Sequence, residues 1–501
     1  MSDNNIPFDT FIRSYQEKLH NLFSDYSHQH YLQVNRGIPP QMLRQILDQK
    51  PLSVFIPSEY EGRGVNVAES LSVLEASGYQ SLALSLMVGI NGALFLQPLA
   101  SYGSESAKKN VFYQFMNHNA LGGLMITEPD FGSDALKMQT SFSESDNGYH
   151  IQGTKHWAGL TSWADFWLIT ARRKSDSGDL SRDIDFFIHD NKNPGLEVTE
   201  LFRNLGLMML PYGRNNLNIS VPKTHRLEPE QTGLKMMLDI LHRSRIQFPG
   251  MGMGFLKRML DEALDHCKTR FVGGQSLFNY EQVKRRISEL QASFTICSAM
   301  CAYTAENAAM GKDLSKEDLQ ANSVKTVMTD LMQNASQSLL QLVGAKGYSY
   351  DHIAGRAVVD SRPFQIFEGS NDILYQQISE AVVKGMRKMS IPNLYQYLKD
   401  HELSNRAADY LKGSLNFEID FKMAQDKLVQ LGQAVGRIMA LESVLKLGDK
   451  GFNTHLIDNA VEFLKQDINT ILCNYQHSAQ LNVVENYQVD SSWLGLVSTK
   501  S

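Results

Sequence analysis

One acidic residue stands in a setting suited to proton abstraction. Glu368 closes the apolar run 364–367 and is followed by Gly369 and Ser370. Desolvation disfavours a carboxylate's charge and lifts its pKa toward the range of a general base. A second segment, Thr127-Glu128-Pro129-Asp130-Phe131-Gly132-Ser133-Asp134, mixes turn formers with hydroxyls, and Gly132 allows backbone to approach a ligand closely. Trp157 offers an amphipathic indole suited to a planar, partly polar ring. Arg270 has the fork geometry for phosphate, while Arg245 could equally form a helix-surface ion pair.

Other candidates are weaker. The run Gly-Met-Gly-Met-Gly at 250–254 lacks the strand and final glycine of a dinucleotide fingerprint, so close helix packing is the expected reason for its small residues. Cys297 and Cys301 lie one helical turn apart, without a second pair or a histidine at ligand spacing. They are expected to be apolar filler, with no metal bound. Met208, Met209, Met236, Met237, Met251 and Met253 are expected in the core, and His28 and His30 on a solvated surface.

These residues need elements to position them. A chain of 501 residues suggests about three domains. The net charge of −6 gives no clustered basic footprint for nucleic acid, and 43% apolar residues exclude a disordered chain. Four cysteines exclude a disulfide scaffold and fit a reducing compartment. The first residues carry neither a secretory nor a transit pattern, so a cytoplasmic location is expected. Residues 76–104 are uncharged and long enough to span a bilayer, but Gly78, Gly89, Gly92 and Pro98 break them. A buried helix pair is the expected form.

The periodicity divides the chain into a helical part (1–118), a β part (119–228), a second helical part (229–389) and a helical extension (390–501). Clustered β-formers punctuated by turns in the second part predict an antiparallel sheet or small barrel. Leu256, Met259, Leu260, Ala263, Leu264 and Cys267 mark one later helix, Val283, Ile287, Leu290 and Phe294 the next, and a third is expected over 322–342. Beyond Pro392, two more amphipathic helices are marked by Leu428–Leu445 and Leu456–Ile471 stripes. The fold class is α+β.

Taken together, two motif groups resemble the acyl-CoA dehydrogenase family. One is Ile126-Thr127-Glu128-Pro129 through Asp134, with Gly153-Thr154-Lys155-His156-Trp157 and Ala164-Asp165. The other runs from Gln341-Leu342-Val343-Gly344 to Asp360-Ser361-Arg362 and Ile366-Phe367-Glu368-Gly369-Ser370. The resemblance covers about residues 50–385, in family order. It implies an N-terminal helical domain, a middle antiparallel β domain and a C-terminal helical bundle, here with extra C-terminal helices. It also implies a flavin cofactor, FAD.

By that resemblance Glu368 is the catalytic base. It removes the α-proton of an acyl thioester while the β-hydrogen leaves as hydride to flavin N5, giving a trans-2-enoyl product. Thr127, Gly132, Ser133, Trp157 and Gly159 would lie along the flavin, with Ser133, Arg245 and Gly369 at the substrate. Arg270, Gln341 and Gly344 would reach the cofactor of a neighbouring subunit, and Ser370 and Asp372 would also contact cofactor. Ser370 is expected to cap helix 371–384 as well. An alternative family site for the base is occupied by Ser244. Gly159 replaces a threonine that donates to the flavin, leaving Thr161 or water to substitute. Gly273-Gly274 replaces Phe-Gly.

The implied partners are a coenzyme A or acyl-carrier-protein thioester, an electron-transfer-flavoprotein-like acceptor, and a second copy in a homodimer or homotetramer. No nucleic acid is implied, and any membrane contact is confined to the extension. Two other readings stay open on the same scaffold: a flavin monooxygenase or oxidase, and a non-catalytic assembly paralogue.

Overall fold

The computed structural model describes residues 6–25, 37–349, 351–477 and 481–497. His28 and His30 lie outside them. The N-terminal part contains α1 (Phe8–Ser24), α2 (Pro40–Leu47), α3 (Val67–Gln80), α4 (Leu82–Asn91), α5 (Gln97–Tyr102) and α6 (Glu105–His118). Asn66 starts α3 by accepting from the N–H groups of Ala68 and Glu69, and Ser81 starts α4 by accepting from Leu84.

The uncharged stretch differs from the expected helix pair. After α3, one helical run continues from Leu82 to Tyr102, with a wide π-type turn at Gly92–Leu96 between α4 and α5. It is long and apolar enough to cross a membrane, yet it is buried inside the protein. Its buried polar side chains make internal hydrogen bonds, although Gln97 Nε2 finds no partner among the described residues. Asn91 donates to the Met87 carbonyl and accepts from the Gly122 N–H, and Gln97 accepts from Gln247.

The β part holds β1 (Gly122–Met125), β2 (Ser141–Ser145), β3 (Gly148–Gly159), β4 (Phe166–Arg173), β5 (Asp185–Asp190), β6 (Leu196–Leu201) and β7 (Tyr212–Pro222). The pairs β2–β3, β3–β7, β4–β5 and β6–β7 are antiparallel as expected. The pairs β1–β4 and β2–β4 are parallel. β1 occupies β4 as far as Ile169, and β2 resumes alongside it at Arg172. The chain between these two strands, 126–140, must therefore loop out of the sheet. This loop carries Thr127, Gly132 and Ser133.

The second helical part is built on α7 (Gly233–Thr269), with α8 (Glu281–Asn307), α9 (Asp318–Val343), α10 (Ile353–Ser361) and α11 (Asn371–Met389). The glycine-rich run packs as expected. A Cβ on Gly254 would fall 2.0 Å from the Glu75 carbonyl oxygen, so α3 and α7 touch backbone to backbone. The Cys297 thiol lies buried and donates to the carbonyl of Pro249, the proline inside α7. After α7 comes a hairpin of β8 (Phe271–Val272) and β9 (Gln275–Ser276). Its turn residues Gly273 and Gly274 have φ of 57° and 83°. A tight hairpin with two left-handed residues explains why glycines stand there.

The extension comprises three short helices, α12 (Leu394–Lys399), α13 (Asn405–Tyr410) and α14 (Lys412–Leu415), then α15 (Gln425–Asp449) and α16 (Thr454–His477). It shares the main core. α15 packs on α8, α9 and α11, and α16 packs on α8 and α15.

Candidate active site

Glu368 lies in the loop between the short turn Arg362–Gln365 and α11. Its φ is 53°, and that of the next residue, Gly369, is 93°. A left-handed non-glycine residue costs on the order of 1–3 kcal/mol and persists only where its surroundings hold it. Two buried cations do so. Arg245 Nε donates to the Glu368 carbonyl at 2.9 Å, and Lys325 Nζ donates to the Gly369 carbonyl at 2.8 Å. Arg245 also donates to Asn322 Oδ1 at 2.8 Å, so it is a buried strut and not a surface ion pair.

Phe364 and Phe367, just before Glu368 in the chain, cluster with Phe248 of α7, their ring centroids 4.9 to 6.1 Å apart. Ser244 donates to Glu368 Oε1 at 2.9 Å. Oε2 is buried and has no hydrogen-bond partner among the described residues. Burial pushes the carboxyl above its ordinary range, and Arg245, Ser244 and Lys325 only moderate the rise. Burial likewise pulls Lys325 down to about 7, against the opposing pull of Glu368. A raised carboxylate with one anchored and one unpartnered oxygen is equipped to take a proton.

Trp157 stands opposite in the sequence pattern, on a bulge of β3 between Lys155 and Ala158. Its φ is 55° and its side chain is 52% exposed, so the indole is presented as an open plate. Phe202 and Tyr212 back it, at 4.5 and 6.3 Å between centroids. The preceding Lys155 is fully buried and fastens the 126–140 loop. It donates to the Ile126 carbonyl, Thr170 Oγ1 and Glu128 Oε1 at 3.0 to 3.1 Å. Glu128 in turn accepts from the N–H groups of Gln139 and Thr140. Burial would raise the Glu128 carboxyl, but Lys155 and these donors outweigh it and hold it low. The Thr127 carbonyl accepts from the His156 N–H at 2.8 Å, which ties the loop to β3 one residue before Trp157. Gly132 and Ser133 are exposed at the loop tip, with open space beside Gly132.

The departure at Gly159 has a local cause. A Cβ there would lie 2.8 Å from Ile90 Cδ1 and 3.3 Å from Tyr212 Cε1. Tyr212 is the direct cross-strand partner of Gly159, and its ring fills the position. Burial, and then the charge of Glu368, raise the Tyr212 hydroxyl above the ordinary phenol range. Thr161 does not substitute for the missing side chain: it is buried, donates to the Ala158 carbonyl and accepts from Asn215. Ser370 occupies the cap position of α11 but makes no capping bond with its side chain, contrary to expectation. Asp372 is exposed in the first turn of that helix.

Arg270, Gln341 and Gly344 form a separate group. Arg270 follows α7, and Gly344 ends α9 with φ of 73°. His266 connects the two ends: burial lowers its pKa, Lys346 and Arg270 add to this, and the Leu342 carbonyl opposes it. Arg245 and Arg270 are 25 residues apart along one helical run. At 1.5 Å per residue that is roughly 38 Å. Arg270 therefore lies far along the helical run from the Glu368 loop.

The residues present fit FAD. A half-exposed indole plate, an open glycine loop beside it, and a buried carboxylate oxygen without a partner suit a planar ring with a substrate against it. Sequence reading missed Lys325, Asn322, Asn371, Tyr212 and Ile90. Lys325 is a charged residue within a continuously buried stretch of α9, a placement that only the packing reveals.

The acyl-CoA dehydrogenase N-terminal, middle and C-terminal domain profiles match residues 12–137, 123–218 and 231–383. An acyl-CoA dehydrogenase of Bacillus subtilis (strain 168) is 24% identical over 352 residues, covering 69% of this chain and 90% of its own. The glutaryl-CoA dehydrogenase of Desulfococcus multivorans is 26% identical over 324 residues, 64% of this chain and 82% of its own. Among solved structures, an acyl-CoA dehydrogenase complexed with FAD from Bacillus anthracis superposes with a TM-score of 0.76 at 17% identity. That match covers 95% of this chain and 88% of the other, and so extends into the C-terminal helices.

Proposed function

The chain belongs to the acyl-CoA dehydrogenase family, and we propose that Glu368 is the base with which it removes the α-proton of an acyl thioester. It is an FAD-dependent oxidoreductase. When bound, FAD supplies the acceptor for the β-hydrogen as hydride. Trp157, Thr127, Gly132 and Ser133 would hold its ring system. Oε2 of Glu368 takes the α-proton and keeps it, because burial favours the protonated form. The Glu368 backbone N–H polarises the thioester oxygen. Arg245 fixes the backbone that carries both groups. The product is a trans-2-enoyl thioester. The observation that carries this reading is the raised, singly anchored carboxylate in its left-handed loop.

The separate group of Arg270, Gln341 and Gly344 supports a homodimer or homotetramer in which each copy completes its neighbour's cofactor site. A coenzyme A or carrier-protein thioester is the substrate, within fatty acid metabolism. An electron-transfer-flavoprotein-like protein takes the electrons, in the cytoplasm. The test is an anaerobic titration of purified flavoprotein with a panel of acyl thioesters. The flavin band should bleach in wild type and persist in Glu368→Gln. Purification without flavin would sink the assignment, and rapid reoxidation with a hydroxylated product would move it to a monooxygenase.

A further inference from the structure

The extension reaches the loop that holds Glu368 through a chain of hydrogen bonds. Arg437, on α15, donates to Asp330 Oδ2 at 3.3 Å and to the Tyr375 hydroxyl at 3.2 Å, and its Nε donates to Asp467 on α16. Tyr375 donates to the same Asp330 oxygen at 2.6 Å. The other oxygen, Oδ1, accepts from Gln365 at 2.7 Å and Asn371 at 2.8 Å. These two residues bracket the loop that holds Glu368. Asn371 Oδ1 then accepts from Lys325, whose Nζ also holds the Gly369 carbonyl.

The packing that delivers Arg437 is specific. A Cβ on Gly432 would fall 1.9 Å from the Tyr375 carbonyl oxygen, so α15 meets α11 backbone to backbone one turn before the arginine. A Cβ on Gly436 would meet Val327 at 3.3 Å. The guanidinium is 12% exposed, flanked by two carboxylates. Removing it would leave Asp330 and Tyr375 to re-pair, and Asp330 is the common anchor of both ends of the loop. Low-dielectric networks of this kind couple strongly along their length.

We propose that Arg437 is a positioning residue for the base: through Asp330 and Asn371 it fixes the 365–371 loop and so the aim of Glu368. This rests on the reading of Glu368 as the base. The extension is then part of the catalytic framework and not an appendage to it.

The test uses the full-length holoenzyme carrying Arg437→Met, with Arg437→Lys as the variant that keeps the charge. Amide hydrogen exchange over 366–371 is read without turnover, beside the pH profile of kcat. Arg437→Met should exchange at least about tenfold faster in this loop, with the β domain unchanged. Its kcat should fall by about tenfold with little change in KM, and the acid limb of its pH profile should move. Arg437→Lys should fall between the two and decides the matter if the methionine variant does not fold. Wild-type loop exchange in a folded variant overturns the proposal, even where the melting temperature drops. Faster loop exchange with an unmoved pH profile supports the positioning and counts instead against Glu368 as the base.

Discussion

Ser244 donates its hydroxyl to Oε1 of Glu368 at 2.9 Å, from a helix 124 residues earlier in the chain. The serine occupies the position that the family resemblance marks as an alternative site for the base, and on the proposed reading it supports Glu368 instead. A hydrogen bond given to a carboxylate favours the charged form. Such bonds to charged groups contribute about 1.5–3 kcal/mol. Ser244→Ala should therefore move the acid limb of the kcat/KM profile up by about one to two pH units. An unmoved limb would show that the contact does not set the basicity.

Glu368 also makes stability depend on pH. Its folded pKa is raised above the ordinary carboxylate value. Between those two values the folded state binds more protons than the unfolded state, so stability falls as pH rises through the window. Above the window the buried charge is a constant penalty. Glu368→Gln should show a higher denaturant midpoint than wild type at about pH 8, with the gap closing toward about pH 4. A lower midpoint across the whole range would contradict this.

Gly159 and Tyr212 form a matched pair on adjacent strands. Gly159→Thr puts new atoms into Ile90 and the Tyr212 ring. Overpacking of this kind costs about 1–3 kcal/mol. The single variant should lose stability and retain less flavin. Gly159→Thr combined with Tyr212→Ser should recover both, as read by melting and by bound flavin absorbance. Equal loss in the single and double variants would separate the two positions.

Arg270 should act on a neighbour's site. Arg270→Ala should weaken retention of FAD by about tenfold, the scale of one charge-assisted phosphate contact. Mixed oligomers of Arg270→Ala with Glu368→Gln contain one site with both residues intact. Refolded together at limiting FAD, the two variants should show more turnover than either shows alone. No recovery in a verified mixed oligomer would place Arg270 outside the partner's site.

Much of this was legible in the residues. Clusters of β-formers placed a sheet within 119–228, and the 365–370 segment pointed to Glu368. β2 is the hardest of the sheet's strands to read, because Phe142 is its one large apolar residue. The purpose of the 126–140 loop was not legible, because it follows from two strands docking end to end on β4. Tyr212 needed the β3–β7 register, and Lys325 needed the pairing of α9 with the base loop. The extension read as a separate unit because its amphipathic stripes say where apolar faces lie, not what covers them. The close seat of Gly432 on Tyr375 depends on three-dimensional packing alone.

The central claim is that Glu368 removes the α-proton, and one measurement addresses it without relying on net turnover. Holoenzyme is incubated anaerobically in deuterated water with an acyl thioester, and the recovered substrate is weighed by mass spectrometry. Wild type should introduce deuterium at the α-carbon, and Glu368→Gln with FAD bound should not. Exchange at the wild-type rate in Glu368→Gln would contradict the account.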